Sequence, residues 1–120
     1  MFQIDSTSSI PAFEQLEFCV KAAMASGRLR PHEQLPSIRE IADSVNLNPN
    51  TVAKTFRGLE VDGFVYTQRG RGIFAGEDTR EMGSEFCRSK LSKMYSEIQK
   101  LALDAGISIN DLAIGEGKGS

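Results

Sequence analysis

The residue types best suited to chemistry in this sequence share one face of a predicted helix over residues 49–62. An amide, a hydroxyl and two cations recur there at helical spacing, at Asn50, Thr51, Lys54 and Arg57. Asn can read adenine through two hydrogen bonds, and Lys or Arg can read guanine or neutralise phosphate. We therefore expect this face to contact the major groove of duplex DNA. A merely solvated helix face has a similar composition, so that alternative stays open at this point.

A second cluster of cations follows at Arg69 and Arg71, within the run Gln68-Arg69-Gly70-Arg71-Gly72. Its flanks, Phe64-Val65-Tyr66-Thr67 and Ile73-Phe74-Ala75, are branched and aromatic, which favours strands. Glycines at the tip supply positive φ and permit close approach to another surface. We predict a β-hairpin whose basic tip enters a minor groove or contacts phosphates. If the tip is considered alone, the alternative is an ordinary hairpin whose arginines serve only solubility and do not contact DNA.

Two short helices must position the candidate reading face. Ser37 can cap the first helix, and Glu40 can reach back to the Ser37 amide in a capping box. Asn48 can cap the second helix and Pro49 suits its first position, so this helix is predicted to run from Pro49 to Asp62. Such a pair, joined by a short turn, presents its second helix outward. The free N–H groups at the start of that helix should also attract a phosphate.

A further helix precedes the pair and should pack across it. It is predicted to begin at Pro11 and to end at Gly27, with an apolar stripe formed by Phe13, Leu16, Val20, Ala23 and Met24. The second helix of the pair contains Gly58 in its interior, where a better helix former is usual.

These residues resemble the GntR family of transcription factors and, within it, the YtrA subfamily. The resemblance covers the first two-thirds of the chain and rests on Pro11-Ala12-Phe13-Glu14-Gln15-Leu16, Ala25-Ser26-Gly27-Arg28-Leu29, Leu35-Pro36-Ser37-Ile38-Arg39-Glu40, Asn48-Pro49-Asn50-Thr51-Val52 and Arg69-Gly70-Arg71-Gly72. By this resemblance, DNA-contacting positions correspond to Arg39, Asn48, Asn50, Thr51, Arg69 and Gly70. It also implies a dyad-symmetric operator and a short helical dimerisation region.

Length and composition are those of one globular domain, or of one domain with an appendage. The 120 residues are 40% hydrophobic and 25% charged, without a membrane-length apolar run or a secretory leader, so we expect a cytoplasmic protein with no membrane association. The predicted fold is mainly α with a small β-hairpin wing. A winged helix-turn-helix DNA-binding domain is expected over residues 1–76, and a C-terminal helical dimerisation region over residues 77–120.

The segment after Gly76 predicts a long helix from Thr79 to Ala105. Apolar side chains recur along it at alternating spacings of four and three, as in a heptad pattern, at Cys87, Leu91, Met94, Ile98, Leu101 and Ala105. This helix either folds back as additional core or pairs with the same helix of a second subunit. We favour a homodimer, because a winged helix already closes its own core and the stripe would otherwise stay exposed. The net charge of −2 also makes a second DNA-binding head useful.

Catalytic and metal-binding patterns are missing from the sequence. It contains no Ser-His-Asp set and no phosphate-binding glycine loop, so we do not expect an enzyme or a cofactor. Cys19, Cys87 and His32 lack metal-site spacing. A winged-helix module that binds protein or RNA is the remaining alternative. We predict a homodimeric regulator, a repressor, that binds a double-stranded DNA operator; whether a small-molecule effector releases the DNA is left open.

Overall fold

The computed structural model describes residues 2–112. Its elements, in chain order, are α1 (Ala12–Ala25), α2 (Ile38–Val45), α3 (Pro49–Val61), β1 (Val65–Gln68), β2 (Gly72–Ala75) and α4 (Thr79–Ala105). The predicted fold class, mainly α with a β-hairpin wing, is confirmed. Contacts divide the chain into two compact units between residues 87 and 88. The last eight positions of the predicted dimerisation region, 113–120, lie outside the described residues.

The core of the first unit forms where α1, α2, α3 and the hairpin meet. Most of the predicted apolar faces point into it, and the N-terminal segment adds Phe2, which is 5% exposed although the sequence there shows no periodicity. On the predicted stripe of α1, Phe13 is the exception, because 49% of its surface remains exposed. The buried side chains at the centre are Leu16, Val20, Met24, Leu29, Leu35, Ile41, Val52, Phe56, Leu59, Phe64 and Val65.

Local capping interactions determine where α2 begins and ends. The Ser37 hydroxyl accepts the N–H of Glu40 at 3.1 Å, and the Glu40 carboxylate accepts the N–H of Ser37 at 2.9 Å, which completes the predicted capping box. Asn46 adopts the left-handed conformation with φ of 56° at the other end. The N–H of Leu47 then donates to the carbonyl of Ala42 at 3.0 Å and closes the last turn.

The wing is a two-stranded antiparallel hairpin in which Gln68 faces Gly72 across the sheet. The linker before α2 runs along the outer edge of β2 and adds main-chain hydrogen bonds. The N–H of Leu35 donates to the carbonyl of Ile73 at 2.8 Å, for example. The edge of β2 is therefore paired, and the linker supports the wing from one side.

The first turns of α4 pack closely on α1 and belong to the first unit. At Gly83 the contact is so close that a Cβ would lie 2.6 Å from the carbonyl oxygen of Lys21. The Lys21 side chain is buried, with its ammonium 2.9 Å from the Glu17 carboxylate and 3.6 Å from the ring centroid of Phe86. An ion pair and a cation–π contact together compensate for the buried charge. This packing explains why the unit continues to Cys87.

The second unit contains the distal part of α4, which is one continuous helix as predicted. Gly106 ends it with φ of 69°, and its N–H donates to the carbonyl of Leu103 at 3.2 Å. The N–H of Ile107 donates to the carbonyl of Ala102 at 2.9 Å, as in a Schellman motif. Among the described helices, none has both the length and the apolar character needed to cross a bilayer.

Candidate nucleic-acid interface

At the start of the candidate reading helix, α3, the first N–H groups of the helix have acceptors within the chain. The side-chain oxygen of Asn48 accepts the N–H of Asn50 at 2.7 Å, and the Asn48 carbonyl accepts the N–H groups of Thr51 and Val52 at 3.0 and 3.2 Å. Pro49 has no N–H to offer. Contrary to the expectation, the N–H groups of Asn50, Thr51 and Val52 are thus bonded within the chain and are not free. The Asn48 side chain keeps its NH2 group for an external partner.

The predicted reading residues lie on the outer face of α3. Asn50, Lys54 and Arg57 are exposed, and Thr51 is half-buried at the edge of the face. The opposite face is buried through Val52, Phe56 and Leu59. In the part of the chain that the structure describes, no carboxylate lies within ion-pairing distance of Lys54 or Arg57. Both cations are thus available to a phosphate or a base edge.

The remaining predicted contact residues flank α3 on neighbouring elements. Arg39 is exposed in the first turn of α2. At the tip of the wing, Gly70 has φ of 78°, and the N–H of Arg71 donates to the carbonyl of Gln68 at 2.9 Å across the turn. Arg69 and Arg71 are exposed on either side of Gly70. The glycine supplies the positive φ that the turn requires, as the sequence predicted.

Gln34, in the linker before α2, supports the wing, and this role was not predicted from the sequence. Its side-chain NH2 group donates to the carbonyl of Arg71 at 2.7 Å, so the linker holds the wing tip directly. Gly72 makes room for this bond, because a Cβ there would lie 2.6 Å from the Gln34 nitrogen, and its φ of 130° also favours glycine. A polar side chain in a linker gives no sequence signal for such a contact.

A small aromatic cluster on the wing was also not predicted from the sequence. Tyr66 and Phe74 face each other in the register of the hairpin, and their rings stack with centroids 5.5 Å apart. His32 Nδ1 lies 3.0 Å from the Tyr66 hydroxyl, within hydrogen-bond distance. The His32 backbone has φ of 64°, and its N–H donates to the carbonyl of Ala75 at 2.8 Å. The cluster stiffens the hairpin that carries the basic tip.

One titratable group at the start of α2 has a shifted pKa. The backbone N–H of Ser37, followed by its hydroxyl, holds the pKa of the Glu40 carboxyl below its ordinary value. Glu40 therefore stays ionised at neutral and mildly acidic pH, at the helix end where a negative charge is favourable.

The predicted dimerisation residues all lie on α4 but differ in environment. Cys87 belongs to the first unit and is half-buried; burial raises the pKa of its thiol, while the positive charge of Lys21 opposes the shift. The other members lie in the second unit, where Met94 is half-buried and Ala105 is exposed. The exposed fraction of the side chain is 54% for Leu91, 45% for Ile98 and 69% for Leu101.

A short helix pair with an outward second helix, followed by a hairpin with a basic tip, defines a winged helix-turn-helix DNA-binding domain. Residues 13–75 match the model of the family "Bacterial regulatory proteins, gntR family", and the chain belongs to this family. The chain is 35% identical over 105 residues to the HTH-type transcriptional repressor YtrA of Bacillus subtilis (strain 168), over 88% of this chain and 78% of that relative. The resemblance inferred from the sequence motifs is thereby confirmed.

Solved structures agree with this assignment. A transcriptional antiterminator from Listeria monocytogenes EGD-e superposes with a TM-score of 0.70 at 27% identity, over 100% of this chain and 90% of that one. YtrA from Sulfolobus acidocaldarius, a GntR-family transcription factor, gives a TM-score of 0.58 at 32% identity, over 74% of this chain and 95% of that one. The family consists of transcriptional regulators, so this protein is a DNA-binding regulator and not an enzyme.

Proposed function

We propose that this protein is a cytoplasmic transcriptional repressor that binds a dyad-symmetric DNA operator as a homodimer. The observation that carries the proposal is the exposed face of α3, where Asn50, Lys54 and Arg57 lie together without internal partners in the described structure. An apolar face would have favoured a protein-binding module. The repressor role is supported by the similarity to the Bacillus subtilis repressor YtrA.

In the proposed complex α3 lies in the major groove, with Asn50 near its leading end. The amide of Asn50 reads a base edge, while Lys54 and Arg57 supply charge toward phosphates or guanine. Because the N–H groups at the start of α3 are already bonded, phosphate contacts fall to side chains, including Arg39. These contacts orient the protein on the duplex, and the base contacts supply specificity.

The wing is proposed to reach the flanking minor groove. Arg69 and Arg71 project from the two sides of a turn that has no side chain at Gly70. A narrow minor groove attracts arginine through its negative potential, and the glycine allows the backbone to come close. The bond from Gln34 to the wing supports this orientation of the tip.

The proposed homodimer forms through the distal half of α4. Leu91, Tyr95, Ile98 and Leu101 are each about half exposed or more, and they recur at helical spacing. Exposed apolar rows of this kind mark interaction surfaces. A second copy of the same helix fits the heptad pattern, which is complementary to itself in a two-fold interface. The division of function between residues 1–76 and 77–120 is part of this proposal.

A selection of bound sequences from random duplex DNA, followed by footprinting, tests the proposal. We expect an inverted repeat whose half-sites lie about 34 Å apart, one helical turn centre to centre. Enrichment of sequences without dyad symmetry would contradict the homodimer. Failure to enrich any duplex, with binding to RNA or to a protein instead, would overturn the assignment of α3 as a reading helix.

A further inference from the structure

We propose that the groove between α1 and α3 is an additional part of the DNA interface and receives one sugar–phosphate strand beside the bases that α3 reads. Gly58 keeps this groove open. The inference rests on the proposed function, and it assigns to Gly58 and Phe13 a role that their positions in the sequence do not predict.

The groove has a volume of about 430 Å³ and lies on the flank of α3. Phe13 and Glu17 form its α1 wall, and Thr51, Lys54, Thr55 and Gly58 form its α3 wall. Two of these residues, Thr51 and Lys54, belong to the predicted reading face. An occupant of the groove would therefore lie directly beside whatever α3 binds.

Gly58 has no structural reason to be a glycine. It lies inside α3 and is exposed, and a Cβ built on it would meet no atom within 4 Å. Gly83 shows the contrast, because its missing side chain lets two helices touch. A glycine in an exposed helix interior destabilises the helix relative to Ala. Because Gly58 has no side chain, the backbone of α3 itself lines the groove there, and another molecule can approach it closely.

The charge of the groove selects the class of occupant. The Glu17 carboxylate is 2.9 Å from the Lys21 ammonium and is thereby neutralised. Lys54 has no carboxylate partner among the described residues, so the groove presents one uncompensated positive charge. An anion is favoured over a cation or a neutral peptide.

The apolar part of the groove suits the sugars between phosphates. Phe13 exposes 49% of its surface there, an unusual exposure for a Phe on an otherwise packed helix. The Thr55 hydroxyl donates to the Thr51 carbonyl at 3.0 Å, so Thr55 adds little hydrogen-bonding capacity. An apolar wall with a single lysine matches an alternation of deoxyribose and phosphate.

The test uses the full chain with Gly58→Ala and Gly58→Leu, compared by thermal unfolding and by titration of the selected operator. Both substitutions raise helix propensity, so both should raise the unfolding midpoint by roughly 4 °C. Operator affinity should nevertheless fall, slightly for Gly58→Ala and about tenfold or more for Gly58→Leu, which fills the groove. Hydroxyl-radical footprints of Gly58→Leu should lose protection at the deoxyriboses beside the bases read by α3.

A second variant, Phe13→Ser, removes the exposed ring without removing a charge. Its affinity should fall several-fold while the dependence on salt stays unchanged, because no phosphate contact is lost. If the wild type binds its operator and Gly58→Leu binds equally well with the same footprint, this inference is overturned while the proposed function stands. If the wild type binds no operator, both fail.

Discussion

Gln34 donates a hydrogen bond from its side chain to the carbonyl of Arg71 at 2.7 Å, and the two residues are 37 positions apart in the chain. Both residues are exposed, so the bond competes with water and contributes about 1 kcal/mol. Its main consequence is positional. It ties the tip of the wing, which carries Arg69 and Arg71, to the linker that precedes α2.

Removal of this bond should loosen the wing without unfolding the domain. We expect Gln34→Ala to weaken operator binding roughly two- to tenfold, because the two arginines must then be ordered on binding. Hydrogen exchange of the wing amides should become faster while exchange in α3 stays unchanged. Gln34→Glu is the matched variant, since a carboxylate cannot donate to the carbonyl. A tight operator complex with unchanged wing exchange in both variants would show that the bond has no such role.

The wing arginines should contribute to the salt dependence of DNA binding. If a dimer neutralises about six to eight phosphates, the log–log slope of affinity against salt should be about −5 to −7. Arg71→Ala should flatten that slope by about one to two units and leave the preferred sequence unchanged. Lys100→Ala, which removes an exposed cation from α4, is the control and should leave the slope as it is. Affinity that does not vary with salt would contradict the whole DNA interface.

Along α3, we expect one residue to read a base and another to position the protein on the DNA. Asn50→Ala should relax the preference at one position in each half-site and cost about 1 to 3 kcal/mol there. Arg57→Ala, farther along the helix, should weaken all sequences alike. The measurement is a titration of single-base operator variants with both proteins. Equal losses across the panel for both substitutions would mean that the reading face is misplaced.

A charge placed on the apolar row of α4 should separate the subunits. Ile98→Asp should give a folded monomer, because burying an unpaired carboxylate in the seam costs several kcal/mol. The monomer should lose specific operator binding but keep the helical signal of the first unit. Sedimentation checks the mass, and Ser96→Asp, an exposed position on the opposite side of the helix, is the control. A dimeric Ile98→Asp with full affinity would place the interface elsewhere.

The capping box predicts a dependence of stability on acid. The folded-state pKa of Glu40 is lowered, so its contribution is fully present above the carboxyl's ordinary pKa. It is lost as the pH falls through the folded value. The unfolding midpoint of the wild type should therefore exceed that of Glu40→Gln at pH 7, and the difference should shrink below pH 5. A difference that stays constant with pH would exclude the ionised capping box as its cause.

The helix pair could be predicted from the sequence because its signals are local. Ser37 and Glu40 are three residues apart, and Asn48 caps a helix that begins at the next residue. A capping bond depends only on the types of neighbouring residues, so its sequence pattern is sufficient. The bounds of α4, Thr79 to Ala105, follow from the sequence for the same reason, since Gly106 supplies the left-handed end.

The sequence alone determined the helices, the hairpin, the family and the face of α3 that is polar. Tertiary structure decided the contacts between distant segments: Gln34 under the wing tip, His32 against Tyr66, and Lys21 buried beside Phe86. It also left Phe13 exposed on an apolar stripe, in a groove that Gly58 of α3 also lines. Periodicity reports which residues share a face of one element. Which part of that face is covered depends on where the other elements end, and that is set by the packing of the whole unit.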